Sequence, residues 1–234
     1  NMRPLVLLLT LFLSIDAFKI LVFDPKFGHS HSNFQGRIAD ILLEAGHNVT
    51  MLICEVDTET KDGTSKTPIL RVQQSEETKE MMKEMKSFKM DLFSKNVFDP
   101  IGAFMIGRFF GRVTSSQCAA LLGETALLDR LRDEKYDVFI SEQFDLCGLG
   151  LSHLIKPRSL ICTTSSNVFG HQFDEFGIPQ PASFAPGFQM SSFDVHSIYD
   201  RLLNLYSTFL ERLMFHNYRR IFDLAWLEHF LLIR

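Results

Sequence analysis

The sequence is short of several things at once. Its 234 residues include four Cys, one Trp and four Tyr. Four Cys cannot make a disulfide-dense scaffold, and without a CxxC pairing they offer neither a zinc ribbon nor a redox motif. No run of Lys and Arg builds a basic stripe, and the formal net charge is −4, so nucleic acid is not the expected partner. GxGxxG does not follow the first candidate strand, which argues against a dinucleotide fingerprint. The Walker A, GxSxG and HExxH patterns are missing too, which removes the P-loop, the usual α/β-hydrolase and the zincin readings.

Phe is in excess, at 23 residues. With 46% hydrophobic and 22% charged residues, the composition is that of a folded globular chain with ample core material and enough aromatic side chains for an apolar pocket. The length suits one large domain or two small ones.

The N-terminus reads as a secretory signal over 1–17. Arg3 is a minimal positive region, Leu5 to Ile15 an apolar run too short for a comfortable membrane span, and Ala17 the small residue before a cut. The mature chain then begins at Phe18 and forms one domain over 18–234. Secretory entry makes Asn48-Val49-Thr50 a usable glycosylation sequon, although it opens a strand expected to be buried. The spacing of Cys54, Cys118, Cys147 and Cys162 does not indicate disulfides, so free, buried thiols are expected.

Phe18 to Phe23 is nearly continuously apolar, as a buried parallel strand requires. A polar turn follows over 24–33. Ile38, Ile41, Leu42 and Ala45 then recur at helical spacing and Gly46 ends the helix. Val49 to Cys54 is a second strand, completing a βαβ unit. A polar surface loop covers 55–67, and Ile69 to Val72 is a short strand. A helical insertion spans about 75–122. Its first helix carries Met81, Met85, Phe88 and Leu92 on one face; Asp99-Pro100 breaks it; the second contains Gly102, Gly107 and Gly111. Leu127 to Leu131 belongs to another helix. The α/β alternation resumes with a strand at 138–140 closing on Ser141-Glu142, a helix over 145–155 and a strand at 159–163. Pro179, Pro181 and Pro186 mark a loop. From Ser197 onward Ile198, Leu202, Leu205, Phe209 and Leu213 give a C-terminal helical segment, about 197–234.

In an open parallel sheet, ligands bind beyond the carboxyl ends of the strands. The turn Gly28-His29-Ser30-His31-Ser32-Asn33 lies there. His29 and His31 are an HxH pair, but no third ligand of matching spacing accompanies them, so no metal site is expected. A histidine of this pair can serve as a general base near neutral pH if a carboxylate orients it. Glu142, at the carboxyl end of a later strand on the same sheet edge, is the candidate.

Several segments resemble the animal UDP-glycosyltransferases of the UDP-glucuronosyltransferase type, most of all their nematode branch. They are Ser30-His31-Ser32-Asn33-Phe34-Gln35-Gly36-Arg37-Ile38-Ala39-Asp40, Leu43-Glu44-Ala45-Gly46-His47-Asn48-Val49-Thr50, Ala119-Ala120-Leu121-Leu122, Tyr136-Asp137-Val138, Ser141-Glu142-Gln143-Phe144-Asp145-Leu146-Cys147-Gly148 and Ile178-Pro179-Gln180-Pro181-Ala182-Ser183-Phe184. The resemblance implies the N-terminal, acceptor-binding Rossmann-like half of a GT-B fold. It implies inverting transfer of a sugar from UDP-glucuronate or UDP-glucose to a hydroxyl of a small lipophilic acceptor, with no cofactor beyond that co-substrate. By the family pattern His31 is the base and His47 is structural. Glu142 stands where many vertebrate members have Asp, and Gly28 and Ser30 would lie near the diphosphate. Phe98, Phe104, Phe109 and Phe110 are candidate pocket linings. The resemblance further implies the endoplasmic reticulum lumen or membrane, a tail anchor, and room for assembly with other family members. The donor-binding signature and the tail anchor are not in these 234 residues, so the chain reads as a truncated N-terminal half. A non-catalytic lipophile-binding or regulatory subunit paired with a full-length relative is the alternative. An unrelated secreted α/β enzyme using His31 and Glu142 is a third reading.

Overall fold

The structure is a computed structural model and describes residues 17–87, 99–166, 168–187, 190 and 192–232. The expected signal segment up to Asp16, and Phe88, Leu92 and Phe98, lie outside the described residues. The elements in chain order are β1 (Lys19–Asp24), α1 (His29–Glu44), β2 (Asn48–Cys54), β3 (Ile69–Val72), α2 (Glu76–Ser87), α3 (Pro100–Gly123), α4 (Thr125–Asp133), β4 (Val138–Glu142), α5 (Cys147–Ile155), β5 (Ser159–Thr163), α6 (Gly170–Glu175) and α7 (Ile198–Leu232).

The five described strands form one parallel sheet in the order β3-β2-β1-β4-β5. Chain order reverses between β1 and β4, which opens a crevice at their carboxyl ends. β1 sits between β2 and β4 and is buried on both faces, which is why its sequence is apolar without alternation. Leu21 and Phe23 join Leu52, Phe139 and the inward faces of α3, α4, α5 and α7 in the larger core. Ile20 and Val22 point the other way, with Val49, Met51, Ile53 and Ile140, onto α1. The α/β class and the expected strands are therefore present.

Polar caps and close approaches set the helical parts. Asp99 caps α3 by accepting from the backbone N–H groups of Ile101 and Gly102 (3.0 Å each), with Pro100 in the first turn. Gly107 and Gly111 lie where α7 comes closest. A Cβ on Gly107 would overlap the Met214 carbonyl, so glycine lets the two helices pack backbone to backbone. Gly36 does the same for α1, against Gly63 of the loop after β2.

That loop is less free than its polar composition suggests. Asp40 of α1 is buried and the loop wraps it. Its carboxylate accepts from the backbone N–H of Ser65 (3.0 Å), Lys66 (3.3 Å) and Thr67 (3.1 Å), and from the hydroxyls of Thr64, Ser65 and Thr67.

Three expectations need correction. Residues 29–33 are the first turn of α1 rather than part of the preceding turn, because Gly28 is extended and the chain can enter the helix at once. Cys118 and Cys147 are not free thiols: they form a disulfide with a Cα–Cα separation of 5.7 Å. α3 brings Cys118 over the start of α5, a meeting that spacing does not encode; Cys54 and Cys162 are free. Asn48 is exposed at the first position of β2, since the strand enters the sheet only from Val49. The C-terminal segment is helical as expected, and its apolar row Ile198, Leu202, Leu205 and Phe209 faces outward. The first turns of α7 instead bury Asn204, Ser207 and Thr208, because the Pro-rich loop beside them needs hydrogen-bond partners. Asn204 receives the Gly187 N–H (2.8 Å) and donates to the carbonyls of Ala182 and Ala185 (2.6 and 2.7 Å).

The disulfide closes a sequence separation of 29 residues, and Cys147→Ala is expected to lower unfolding stability by about 3 kcal/mol, read from denaturant midpoints with and without reductant. Asp40 sets an acid limit. Burial pushes its carboxyl up, but the bonds from Thr64, Ser65 and Thr67 outweigh that and hold it well below the usual carboxylate range. Its contribution is complete above the unfolded value of about 4 and drains away as pH falls below it. Asp40→Asn is expected to cost about 2 kcal/mol at neutral pH and to flatten the acid side of the stability curve.

Candidate active site

The switch between β1 and β4 collects the polar residues. β1 ends at Asp24 and β4 at Glu142, both buried. The chain turns after β1 through Lys26, whose φ of 41° is left-handed. The Lys26 ammonium is buried in ion pairs with Glu55 (2.6 Å) and Asp62 (3.0 Å), and Arg71 braces the same two acids at 3.1 and 2.6 Å. This four-member network ties the β1–α1 turn to the loop after β2, so the start of α1 has a fixed position.

Gly28 is the N-cap of α1, extended at φ −160° and ψ 157°, and no side chain caps the helix. The first-turn N–H groups have no intrahelical acceptor, and the positive end of the helix dipole opens there. His29 and Ser30 are exposed. His29 Nε2 lies 3.1 Å from the Asn33 amide, away from His31. Among the described residues no three ligating side chains gather as a metal site.

His31 is turned inward, its side chain 12% exposed. Its Nδ1 lies 2.7 Å from Ser165 Oγ and 3.4 Å from Glu142 Oε1. Glu142 Oε1 also accepts the Ser165 N–H (3.2 Å), and Oε2 accepts from Gln35 Nε2 (3.0 Å). Gln35 Nε2 donates a second time to Thr163 Oγ1 (2.6 Å), which itself donates to the Ser141 carbonyl (3.2 Å). The expected pair His31 and Glu142 is thus brought together, with Gly28 and Ser30 at the adjacent helix end. With Nδ1 engaged, Nε2 is the ring nitrogen left for a ligand.

Phe144 stands 5.0 Å from the His31 ring and Phe27 6.1 Å from it, centroid to centroid. Phe27 and Phe144 stack at 5.0 Å, and Phe110 meets Phe27 edge-on at 5.1 Å. Of the Phe residues expected to line a pocket, Phe110 is in this wall and Phe109 packs on it at 5.7 Å, whereas Phe104 is exposed on α3.

Sequence reasoning missed Gln35, Ser165, Phe27 and Phe144. Two had a readable signal: Gln35 lies one helical turn beyond His31 on the same face, and Ser165 follows β5 on the sheet edge where the other candidates end. His47, expected to be structural, accepts the Phe18 N–H at 3.3 Å where α1 turns into β2.

The profile of the UDP-glucoronosyl and UDP-glucosyl transferase family matches residues 18–230. The chain is 32% identical over 179 residues to ugt-47 of Caenorhabditis elegans, which carries a UDP-glucuronosyltransferase name; the match takes 73% of this chain and 32% of that protein. It is 28% identical over 234 residues to human UDP-glucuronosyltransferase 3A1, across 92% of this chain and 40% of that protein. The chain therefore spans about two fifths or less of the length of these relatives. Among solved structures it is similar to SsfS6, a glycosyltransferase of Streptomyces sp. SF2575, with a TM-score of 0.46 and 19% identity over 70% of this chain and 48% of that one.

Asp24 gives the site a pH signature opposite to that of Asp40. Burial pushes its carboxyl up to about 6; the Lys26 N–H and Ser32 pull it down, and the Glu142 charge pushes it up again. A group raised in this way makes the fold less stable as pH climbs from about 4 through 6. Its second oxygen has no hydrogen-bond partner. Asp24→Asn is therefore expected to stabilise the protein by about 2 kcal/mol at pH 8, with the gain gone near pH 4, as thermal melts across that range would show.

Proposed function

The chain belongs to the UDP-glucoronosyl and UDP-glucosyl transferase family, and on that premise we propose that it carries the acceptor side of a sugar transfer from UDP-glucuronate or UDP-glucose. The observation that carries this reading is the setting of His31. One ring nitrogen is held by a buried carboxylate and a hydroxyl, and the ring borders an aromatic wall at the carboxyl edge of the sheet. His31 Nε2 takes the proton of an acceptor hydroxyl. The acceptor oxygen then attacks the anomeric carbon from the face opposite the phosphate, the bond to UDP breaks, and UDP leaves with that electron pair. The anomeric configuration inverts. Glu142 stabilises the imidazolium that forms. Gly28 and Ser30, at the uncapped end of α1, face the developing negative charge of the diphosphate. Phe27, Phe110 and Phe144 favour a lipophilic acceptor such as a phenol.

In this reading the donor-side contacts come from the part of these relatives' length that the match does not span. A secretory route to the endoplasmic reticulum, with membrane anchoring through that further sequence, fits the apolar segment before Phe18. Among the described residues no helix is long and apolar enough to cross a membrane.

The test is transfer from either UDP-sugar to a lipophilic phenol by the protein expressed with its donor-binding portion. His31→Ala is expected to lower kcat by at least about 100-fold, and His29→Ala to leave it within about threefold. Equal losses in the two variants would remove His31 as the base.

A further inference from the structure

We propose that Gln35 is a positioning residue for the base: it holds the Glu142 carboxylate in the orientation that serves His31. This rests on the reading of His31 as the base but concerns a residue to which that reading assigns no role. Gln35 is fully buried and lies one turn after His31 in α1, so a single helix carries both the proposed base and the donor that restrains its carboxylate.

The orientation of the amide is determined by its surroundings. Thr163 Oγ1 gives its hydrogen to the Ser141 carbonyl and so can only accept from Gln35. Glu142, ionised, can only accept as well. The NH2 end of the amide must therefore face both, and the carbonyl end is left buried without a partner. An unsatisfied buried carbonyl is a cost in folding. That cost is carried by an amide that gives hydrogens to both Glu142 and Thr163.

Glu142 has one more rotatable bond than an aspartate and is cut off from water. Its Oε1 is shared by His31 and the Ser165 N–H, while Gln35 is the protein donor on Oε2. Without Gln35 the anion loses stabilisation in a dry site, and the carboxylate is free to turn or to take up a proton. Either outcome weakens its hold on a protonated His31.

The experiment reads the His31 ring directly, by NMR titration of its carbon-bound protons in the same protein used for the transfer assay, and so needs no turnover. Gln35→Met keeps the volume and removes the donor. It is expected to move the His31 titration midpoint to lower pH by about half a unit or more. In a Glu142→Gln background the same substitution is expected to move it no further, as a double-mutant cycle requires if Gln35 acts through Glu142. Gln35→Asn, whose amide falls short of Glu142, should shift the midpoint in the same direction and carries the test if Gln35→Met does not fold. No shift in the native background, or equal shifts in both, overturns the proposal. Loss of transfer in His29→Ala as deep as in His31→Ala would count against the proposed reaction without altering the titration result.

Discussion

A carboxylate removed from water must be hydrogen-bonded on both oxygens or give up its charge, and this constraint organises the carboxyl edge of the sheet. β1 and β4 are neighbours and each ends in a buried acid, Asp24 and Glu142. Glu142 meets the requirement by drawing in two elements, α1 through Gln35 and His31 and the segment after β5 through Ser165, while Thr163 of β5 takes the second hydrogen of the Gln35 amide. Asp24 meets it only in part, with one oxygen satisfied by the Lys26 N–H, and burial pushes its carboxyl up. The two acids therefore differ: Glu142 is hydrogen-bonded on both oxygens and faces the His31 ring, whereas Asp24 loses its charge once the pH falls below about 6.

The same residues explain why α1 begins where it does. Its register is pinned from below by Asp40 in the loop 64–67 and from above by Gln35 on Glu142. Between these points Gly36 lets the loop at Gly63 come into backbone contact. The Lys26, Glu55, Asp62 and Arg71 network fixes the turn that leads into the helix. A helix held at both heights cannot slide along its axis. The His31 ring then has little choice but to lie between Phe27, Phe144 and Glu142.

Much of this was legible in the sequence. Buried parallel strands announce themselves as continuous apolar runs, so β1 and β2 were readable, and the edge rule for parallel sheets joined the His29–His31 turn to Glu142 across 111 positions of chain. What escaped was of another kind. Periodicity registers only apolar residues, so it could not see that α1 buries Ser32, Gln35 and Asp40, nor that the first turns of α7 bury polar residues to satisfy a Pro-rich loop while Ile198, Leu202, Leu205 and Phe209 turn outward. The Cys118–Cys147 pairing depends on how α3 crosses α5, and helix crossings are set by side-chain ridges and close glycines rather than by local pattern.

The longer acid at position 142 changes what its neighbours must do. An aspartate is short, and its backbone largely decides where the carboxylate points. A glutamate reaches further and must be restrained from outside. The restraints present are the Ser165 N–H on one oxygen and the Gln35 amide on the other, with the Ser165 hydroxyl nearer to His31 Nδ1 than the carboxylate itself, at 2.7 against 3.4 Å. That hydroxyl both accepts and donates, so it does not by itself decide which ring nitrogen carries the proton. The carboxylate oxygen, 3.4 Å away, places a negative charge on the Nδ1 side of the ring. The ring is thus held at close range by the hydroxyl, with the carboxylate slightly further away on the same side. The two restraints on the glutamate, the Ser165 N–H and the Gln35 amide, come from opposite sides of the carboxylate and leave it little freedom to turn.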